Sequence, residues 1–92
     1  MSEKRKTILK SRFEFEENGS IAYLEFETDS DSWITLWHTE VPEPLRGRGL
    51  SSLLARTALD YARENRLKVD VICPLVKDFI HKNPEYTSLV GK

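Results

Sequence analysis

The longest amphipathic segment of the sequence begins near Gly49 and lies between two short apolar runs. Its small and apolar side chains recur at i, i+3, i+4, i+7, i+8, i+11 and i+12, the spacing of one helix face. These side chains are Leu50, Leu53, Leu54, Thr57, Ala58, Tyr61 and Ala62. Residues 33–41 before this helix and 67–73 after it are rich in branched and aromatic residues, which favours strands. Two strands joined by such a crossover helix form a right-handed unit in which they run parallel.

A hairpin precedes this unit. Asn18-Gly19 separates a mixed segment at 8–15 from a strand-like segment at 21–28. The two central residues of a type I′ turn both need positive φ, so Asn-Gly is a strong hairpin signal. Residues 13–32 contain seven acidic residues and no lysine or arginine. We interpret these acids as the solvated face of an antiparallel hairpin.

The remainder of the chain predicts one more helix. Pro74 can begin it without losing a hydrogen bond, and Asn83-Pro84 ends it. One further turn is predicted at 86–90. The fold class is therefore α/β with a mixed sheet, in the order β-β-β-α-β-α, with antiparallel N-terminal strands and a parallel βαβ unit. We expect a single domain over residues 1–92, with residues 1–6 flexible.

Charge and cysteine content exclude several classes of protein. The 14 Lys and Arg residues nearly balance the 15 Asp and Glu residues, which argues against a strongly basic nucleic-acid binder. No apolar run approaches the roughly 18 residues of a membrane span, and no apolar segment typical of a secretory signal follows the charged start. Cys73 is the single cysteine, so neither an internal disulfide nor a cysteine-based zinc site is expected. We expect a cytoplasmic protein that binds no nucleic acid, membrane or metal.

The loop between the third strand and the long helix has the composition of an anion site. Gly47 and Gly49 allow close backbone approach. The unpaired N–H groups of the following helix N-terminus, and its positive dipole end, favour phosphate or pyrophosphate. Arg46 and Arg48 add positive charge beside it. Taken alone, the same pattern also fits an ordinary tight loop that caps a helix.

Four motifs extend this interpretation. The arrangement Arg46-x-x-Gly49-x-Ser51 resembles Gln/Arg-x-x-Gly-x-Gly/Ala, the pyrophosphate motif of the GNAT superfamily of N-acetyltransferases. The segments at 38–42, 46–50, 73–77 and 83–86 read HTEVP, RGRGL, CPLVK and NPEY. In this order they resemble the minimal, YjdJ-type members of that superfamily, and the resemblance covers about residues 13–90. Ser51 departs from the usual Gly or Ala, but it is still small.

The resemblance implies acetyl-CoA or coenzyme A as the cofactor. Its pyrophosphate would lie on residues 46–52, its pantetheine beside residues 40–42, and its thioester near Cys73. The implied cofactor-binding residues are Glu40, Val41, Pro42, Arg46, Gly47, Arg48, Gly49, Leu50, Ser51, Ser52 and Asn83. The acceptor would be an amine of unknown identity, on a small molecule or a protein. The helices and strands that shape the acceptor site in longer family members have no counterpart in 92 residues, so the acceptor itself is not implied.

Two residues are catalytic candidates. His38 lies on the strand that enters the site, where its imidazole can accept a proton, although a histidine hydrogen-bonded inside the sheet has the same spacing. Cys73 precedes a helix N-terminus, which favours a thiolate nucleophile or acetyl carrier, although a buried inert cysteine fits equally well. Whether His38 reaches Cys73 depends on the strand register. Trp33 and Trp37 are expected to pack beneath a helix.

Three functions remain in competition at this point. The first is an acetyl-CoA-dependent N-acetyltransferase, and the second is a coenzyme A-binding module with little transferase activity. The third is a fragment of a dinucleotide-binding oxidoreductase, because Gly47-x-Gly49-x-x-Ser52 approaches the Rossmann fingerprint and Asp70 lies near the distance expected of the ribose-binding acid. The missing last glycine and the short chain argue against the third.

Overall fold

A computed structural model of the chain describes residues 9–91 and forms a four-stranded sheet with two α-helices. The strands are β1 (Leu9–Glu17), β2 (Ser20–Thr28), β3 (Trp33–Glu40) and β4 (Lys68–Val71), and the helices are α1 (Leu50–Glu64) and α2 (Pro74–Lys82). Short 3-10 helices occupy Glu43–Leu45 and Pro84–Leu89. The predicted flexibility of residues 1–6 lies outside the described residues. Between residues 9 and 91 no helix is both long and apolar enough to span a membrane.

The sheet order is β1-β2-β3-β4. β1 pairs with β2 and β2 with β3 in antiparallel fashion, while β3 and β4 are parallel. Asn18 (φ 51°) and Gly19 (φ 83°) both adopt the left-handed conformation of the predicted hairpin turn. The mixed sheet with its parallel crossover is therefore confirmed.

Both helices pack on one face of the sheet and share one hydrophobic core with it. Leu24, Ile34, Leu36 and Val69 have no exposed surface and form the sheet side of this core. The buried stripe of α1 differs from the predicted one, because Ala55 and Leu59 are also buried.

The predicted stripe placed Leu53 and Tyr61 on the buried face, but they are 45% and 39% exposed. The stripe is rotated because α1 packs against α2 as well as against the sheet. A sequence period locates an apolar face but does not say which flank of it a second helix covers.

A β-bulge in β3 determines which side chains face the helices. Phe26 of β2 pairs with Leu36, but the preceding residue, Glu25, pairs with His38, so Trp37 is an extra residue in β3. The insertion reverses the alternation of side chains beyond it. Trp33 and Trp37 alternate with Ile34 and Leu36, which face the helices, so the predicted packing of the two tryptophans beneath a helix is wrong. Trp37 is 43% exposed on the sheet face opposite the helices, and Trp33 lies against Gly91 on that face.

Candidate functional site

A cleft of about 300 Å³ lies where β3 ends and α1 begins. It brings together seven of the predicted cofactor-binding residues: Glu40, Val41, Arg46, Gly47, Gly49, Leu50 and Ser51. Thr39, Leu45 and Leu75 also line the cleft and were missed in the sequence. Leu45 follows a proline in the predicted loop, and Leu75 follows the proline that begins the predicted second helix. No pattern in the sequence indicated that these two side chains lie on the same surface.

The cleft reaches the N-terminus of α1, where Gly47, Gly49, Leu50 and Ser51 line it. Gly47 (φ 81°) and Gly49 (φ 75°) are both left-handed, and Gly49 is the N-cap of α1. Leu53 is the first residue of α1 whose N–H donates to the preceding turn, at 3.0 Å from the Gly49 carbonyl oxygen. Among residues 9–91, no backbone or side-chain acceptor bonds the N–H groups of residues 47–52. Unpaired N–H groups at a helix N-terminus are the kind of donors that favour an anion.

The two loop arginines have different roles. Arg46 lines the cleft, and its Nε donates to the Val41 carbonyl oxygen at 2.8 Å, which fastens the loop to the end of β3. Arg48 is not part of the cleft lining. Its guanidinium forms a bidentate ion pair with Glu17 of β1, with Nη1–Oε1 and Nη2–Oε2 distances of 2.6 and 2.9 Å. Of the two predicted cations, the structure therefore places only Arg46 in the cleft lining.

The parallel strands separate beside the cleft. Pairing between β3 and β4 ends at Leu36 and Val71, and the N–H groups of Ile72 and Cys73 both donate to the Leu36 carbonyl oxygen at 3.0 Å. Beyond this point β3 continues to Glu40, and within residues 9–91 it pairs there only with β2. The edge of β3 that faces the start of α2 is therefore open to an extended ligand.

Cys73 lies at the inner end of this opening. Its side chain is 1% exposed, and its Sγ lies 3.3 Å from the Thr39 hydroxyl, which is also buried. Thr39 occupies this position because the bulge turns it, rather than His38, toward the helices. The structure therefore joins Cys73 to Thr39 and does not bring it to His38.

His38 lies on the opposite face of the sheet. Its side chain is 55% exposed, its Nε2 lies 3.2 Å from Glu40 Oε1, and its ring centre is 6.3 Å from that of Tyr23. His38 is therefore not a histidine hydrogen-bonded in the interior, and it is not the partner of Cys73. The sequence alone had left both possibilities open. The arrangement links an imidazole on the open face to a carboxylate that lines the cleft.

The remaining predicted residues lie outside the cleft lining. The Pro42 carbonyl oxygen accepts the N–H of Leu45 at 2.9 Å. Ser52 is an exposed residue in the first turn of α1. The Asn83 side-chain amide donates to the Phe79 carbonyl oxygen at 2.9 Å and closes the end of α2. The Ser52 side chain therefore does not contribute to the cleft lining, and the Asn83 amide forms a bond within α2.

The burial of Cys73 gives the first testable prediction. We expect its thiol to react with a bulky disulfide reagent at least a hundredfold more slowly in the folded protein than in denaturant, because reactivity requires access. The measurement is the rate of release of the reagent's chromophore in each condition. Thr39→Ser keeps the hydroxyl and serves as the control against a general loosening of the site. Rapid reaction of the folded protein would show that the thiol is accessible.

These features define a class of protein. A mixed sheet whose two parallel strands separate beside a glycine-flanked helix N-terminus agrees with the N-acetyltransferase fold that the sequence resembles. The family model for GCN5-related N-acetyl-transferases matches residues 12–89, and the chain belongs to this family.

Similar proteins in vertebrates carry the name Protein NATD1. The Bos taurus protein is 40% identical over 63 residues, which cover 68% of this chain and 56% of the relative. The Homo sapiens protein is 38% identical over 63 residues, which also cover 68% of this chain and 56% of the relative. The Danio rerio protein is 37% identical over 75 residues, covering 79% of this chain and 68% of the relative. The chain thus spans a little over half the length of the first two relatives.

Proposed function

We propose that the protein is a cytoplasmic, acetyl-CoA-dependent N-acetyltransferase that transfers acetyl to an amine. The observation that carries the proposal is the row of backbone N–H groups at residues 47–52, which have no acceptor among residues 9–91. The first N–H groups of a helix have no partner within it, and together with the positive end of the helix dipole they favour an anionic ligand. A pyrophosphate supplies the acceptor oxygens that these donors lack.

The rest of the cleft fits the remainder of coenzyme A. Arg46 adds a cation next to the amides, and Leu45 and Leu75 give the same cleft an apolar wall. The edge of β3 beyond Leu36 has no strand partner on its β4 side, so its backbone groups suit the two amides of an extended pantetheine chain. When bound, acetyl-CoA supplies a thioester, an acyl group activated for attack by an amine.

The side chains favour direct transfer over a route through a cysteine. Cys73 is 1% exposed and bonded to Thr39, so a covalent acetyl group would have to enter a packed core. His38 is accessible and contacts Glu40, an arrangement in which the carboxylate orients the imidazole. We assign His38 the role of accepting the proton of the attacking amine.

A coenzyme A-binding module with little transferase activity is the second candidate. It is favoured by one observation: no helix among residues 9–91 covers the sheet face that carries His38. A binding module would keep its affinity for coenzyme A in the His38→Ala variant and would acetylate no amine in either form.

Calorimetric titration tests the proposal. We expect coenzyme A and acetyl-CoA to bind, and NAD, which has a pyrophosphate but no pantetheine, to bind at least tenfold more weakly. Intact mass after incubation with acetyl-CoA should show no acetyl group on Cys73. Absence of coenzyme A binding would refute the proposal, and a preference for NAD would restore the dinucleotide-binding alternative.

The ion pair between Arg48 and Glu17 gives a separate prediction. We expect Glu17→Gln to raise the affinity for coenzyme A by about twofold to fivefold, because an exposed pair worth roughly 0.2–1 kcal/mol no longer competes for the guanidinium. Glu16→Gln, on the same strand, is the matched control. A lower affinity in Glu17→Gln would show instead that the pair holds the loop in its binding conformation.

A further inference from the structure

The two edges of the sheet differ in length and in cover. At one edge, β4 has only four residues, and the Gly91 N–H donates to its Val69 carbonyl oxygen at 3.0 Å. At the other edge, β1 has nine residues, and within residues 9–91 it pairs only with β2. β1 contains no proline, glycine or bulge, three features that keep edge strands from pairing. We call the side of β1 that faces away from β2 the β1 edge.

The hairpin determines which backbone groups lie on the β1 edge. In an antiparallel pair, every second residue exchanges both of its backbone hydrogen bonds with the neighbouring strand. Glu17 and Ser20 flank the two-residue turn and form such a pair, so the odd-numbered residues of β1 bond to β2. The even-numbered residues therefore direct their N–H and C=O groups toward the β1 edge. These residues are Lys10, Arg12, Glu14 and Glu16.

The basic half of this set already faces acids on β2. Lys10 lies opposite Glu27, with Nζ 3.7 Å from its carboxylate, and Arg12 lies opposite Glu25. The Arg12 guanidinium is also 4.2 Å from the centre of the Tyr23 ring. Both cations are exposed on the side of the β1 edge. Each can therefore accept a second acid from a neighbouring strand.

The acidic half has no cation opposite it. On β2, Glu14 faces Tyr23 and Glu16 faces Ile21. Arg12 of the same strand bonds to Glu14 at 2.9 Å, whereas Glu16 has no ion-pair partner among residues 9–91. A strand placed along the β1 edge with cations at these two positions would complete the pattern, because opposite charges on facing residues stabilise a strand pair.

A second copy of β1 is a strand of this kind. When two copies pair antiparallel about a two-fold axis at Phe13, Arg12 of each lies opposite Glu14 of the other, and Lys10 lies opposite Glu16. All four residues direct their backbone groups outward, as hydrogen-bonded pairs require. An axis at residue 12 or 14 would instead place two arginines or two glutamates opposite each other. Charge therefore favours a single register.

The same axis brings apolar surface together on the helix side of the sheet. Phe13 is half-buried, and its ring centre is 4.5 Å from that of Phe26 and 5.5 Å from that of Tyr61. Tyr61 of α1 is 39% exposed. At the axis, the two Phe13 residues form a non-hydrogen-bonded pair, the kind in which facing side chains are closest. Contact between the copies would therefore bury aromatic surface beside the charged pairs.

We propose that the protein is a two-fold symmetric dimer in which the β1 strands of two copies pair antiparallel about Phe13. The two sheets then form one sheet of eight strands, and the interface is isologous because both copies contribute the same residues. No residue of β1 lines the cleft at the start of α1. The dimer is therefore independent of the proposed function, and the failure of one leaves the other standing.

Sedimentation equilibrium of the full chain, in a dilution series that reaches millimolar protein, measures the dimer. We expect the mass to approach twice the chain mass of 10.7 kDa, with a dissociation constant in the micromolar range. Lys10→Glu with Arg12→Glu makes the four even-numbered positions acidic, and Glu14→Lys with Glu16→Lys makes them basic. Each double variant alone should dimerise at least about a hundredfold more weakly, since every facing pair is then of like charge. An equimolar mixture of the two should dimerise again.

Lys68→Glu with Lys82→Glu is the matched control, because it makes the same change of charge outside β1 and should leave the dimer intact. Circular dichroism checks that each variant is folded. A wild-type protein that stays monomeric throughout the series refutes the proposal. So does a mixture of the two folded double variants that stays monomeric, or a dimer that persists in both of them.

Oxidative cross-linking tests the register without changing any charge. Phe13→Cys places two thiols at the axis, where the Cα–Cα distance of about 4.5 Å suits a disulfide. Ser11→Cys is the control, because its two thiols lie four residues apart along the strands, about 14 Å. We expect a covalent dimer from Phe13→Cys and none from Ser11→Cys. The absence of a cross-link in Phe13→Cys, or a faster one in Ser11→Cys, would overturn the pairing about Phe13.

Discussion

Leu36→Ala is expected to lower the free energy of unfolding by about 2–5 kcal/mol, because the side chain has no exposed surface and a cavity would remain in the core. Leu36 is also the residue at which three constraints meet. It pairs with Phe26 just before the bulge and with Val71 of β4, and its carbonyl oxygen accepts the N–H groups of the two residues that lead into α2, Ile72 and Cys73. Small domains have little stability to spare, so this variant should be close to unfolding at 37 °C.

Chemical denaturation followed by circular dichroism measures this loss. Leu53→Ala is the matched control, because it removes the same atoms from a leucine that is 45% exposed. We expect the control to lose less than about 1 kcal/mol. Equal losses in the two variants would contradict the assignment of Leu36 to the core.

Gly49→Ala is expected to weaken coenzyme A binding by about tenfold, since a left-handed residue with a Cβ costs roughly 1–2 kcal/mol and 1.4 kcal/mol is a factor of ten in affinity. A Cβ at Gly49 meets no atom within 4 Å. The cost of the substitution is therefore conformational. The loop of the variant lowers this cost by adopting another conformation, in which its N–H groups no longer converge. Binding must then restore that conformation at the expense of affinity. Calorimetric titration measures the effect.

Gly19→Ala provides the control for backbone strain. Gly19 is left-handed (φ 83°), a Cβ there also meets no atom within 4 Å, and the residue lies in the hairpin turn outside the cleft. Both variants should lose similar stability, but only Gly49→Ala should lose affinity. If both bind coenzyme A as the wild type does, the loop amides are not the anion site.

Local sequence patterns predicted most of the architecture. Three of these patterns involve only neighbouring residues, so they can be recognised without knowledge of the fold. They are the Asn18-Gly19 turn, the crossover helix and the proline at the start of α2. The loop glycines belong to the same group, because a left-handed N-cap is a local requirement. Seven predicted cofactor-binding residues accordingly share one cleft.

Tertiary structure alone determined which side chains lie on each face of the sheet. The insertion of Trp37 is defined by the pairing of β2 with β3, and nothing within residues 33–41 marks it. It turns His38 outward and Thr39 toward Cys73, and so separates the two catalytic candidates. The pairing of Arg48 with Glu17 likewise joins residues 31 positions apart. Sequence therefore determined which elements form and where the glycine loop lies. Strand register and long-range pairing determined which side chains meet there, because a one-residue shift reverses every face beyond it.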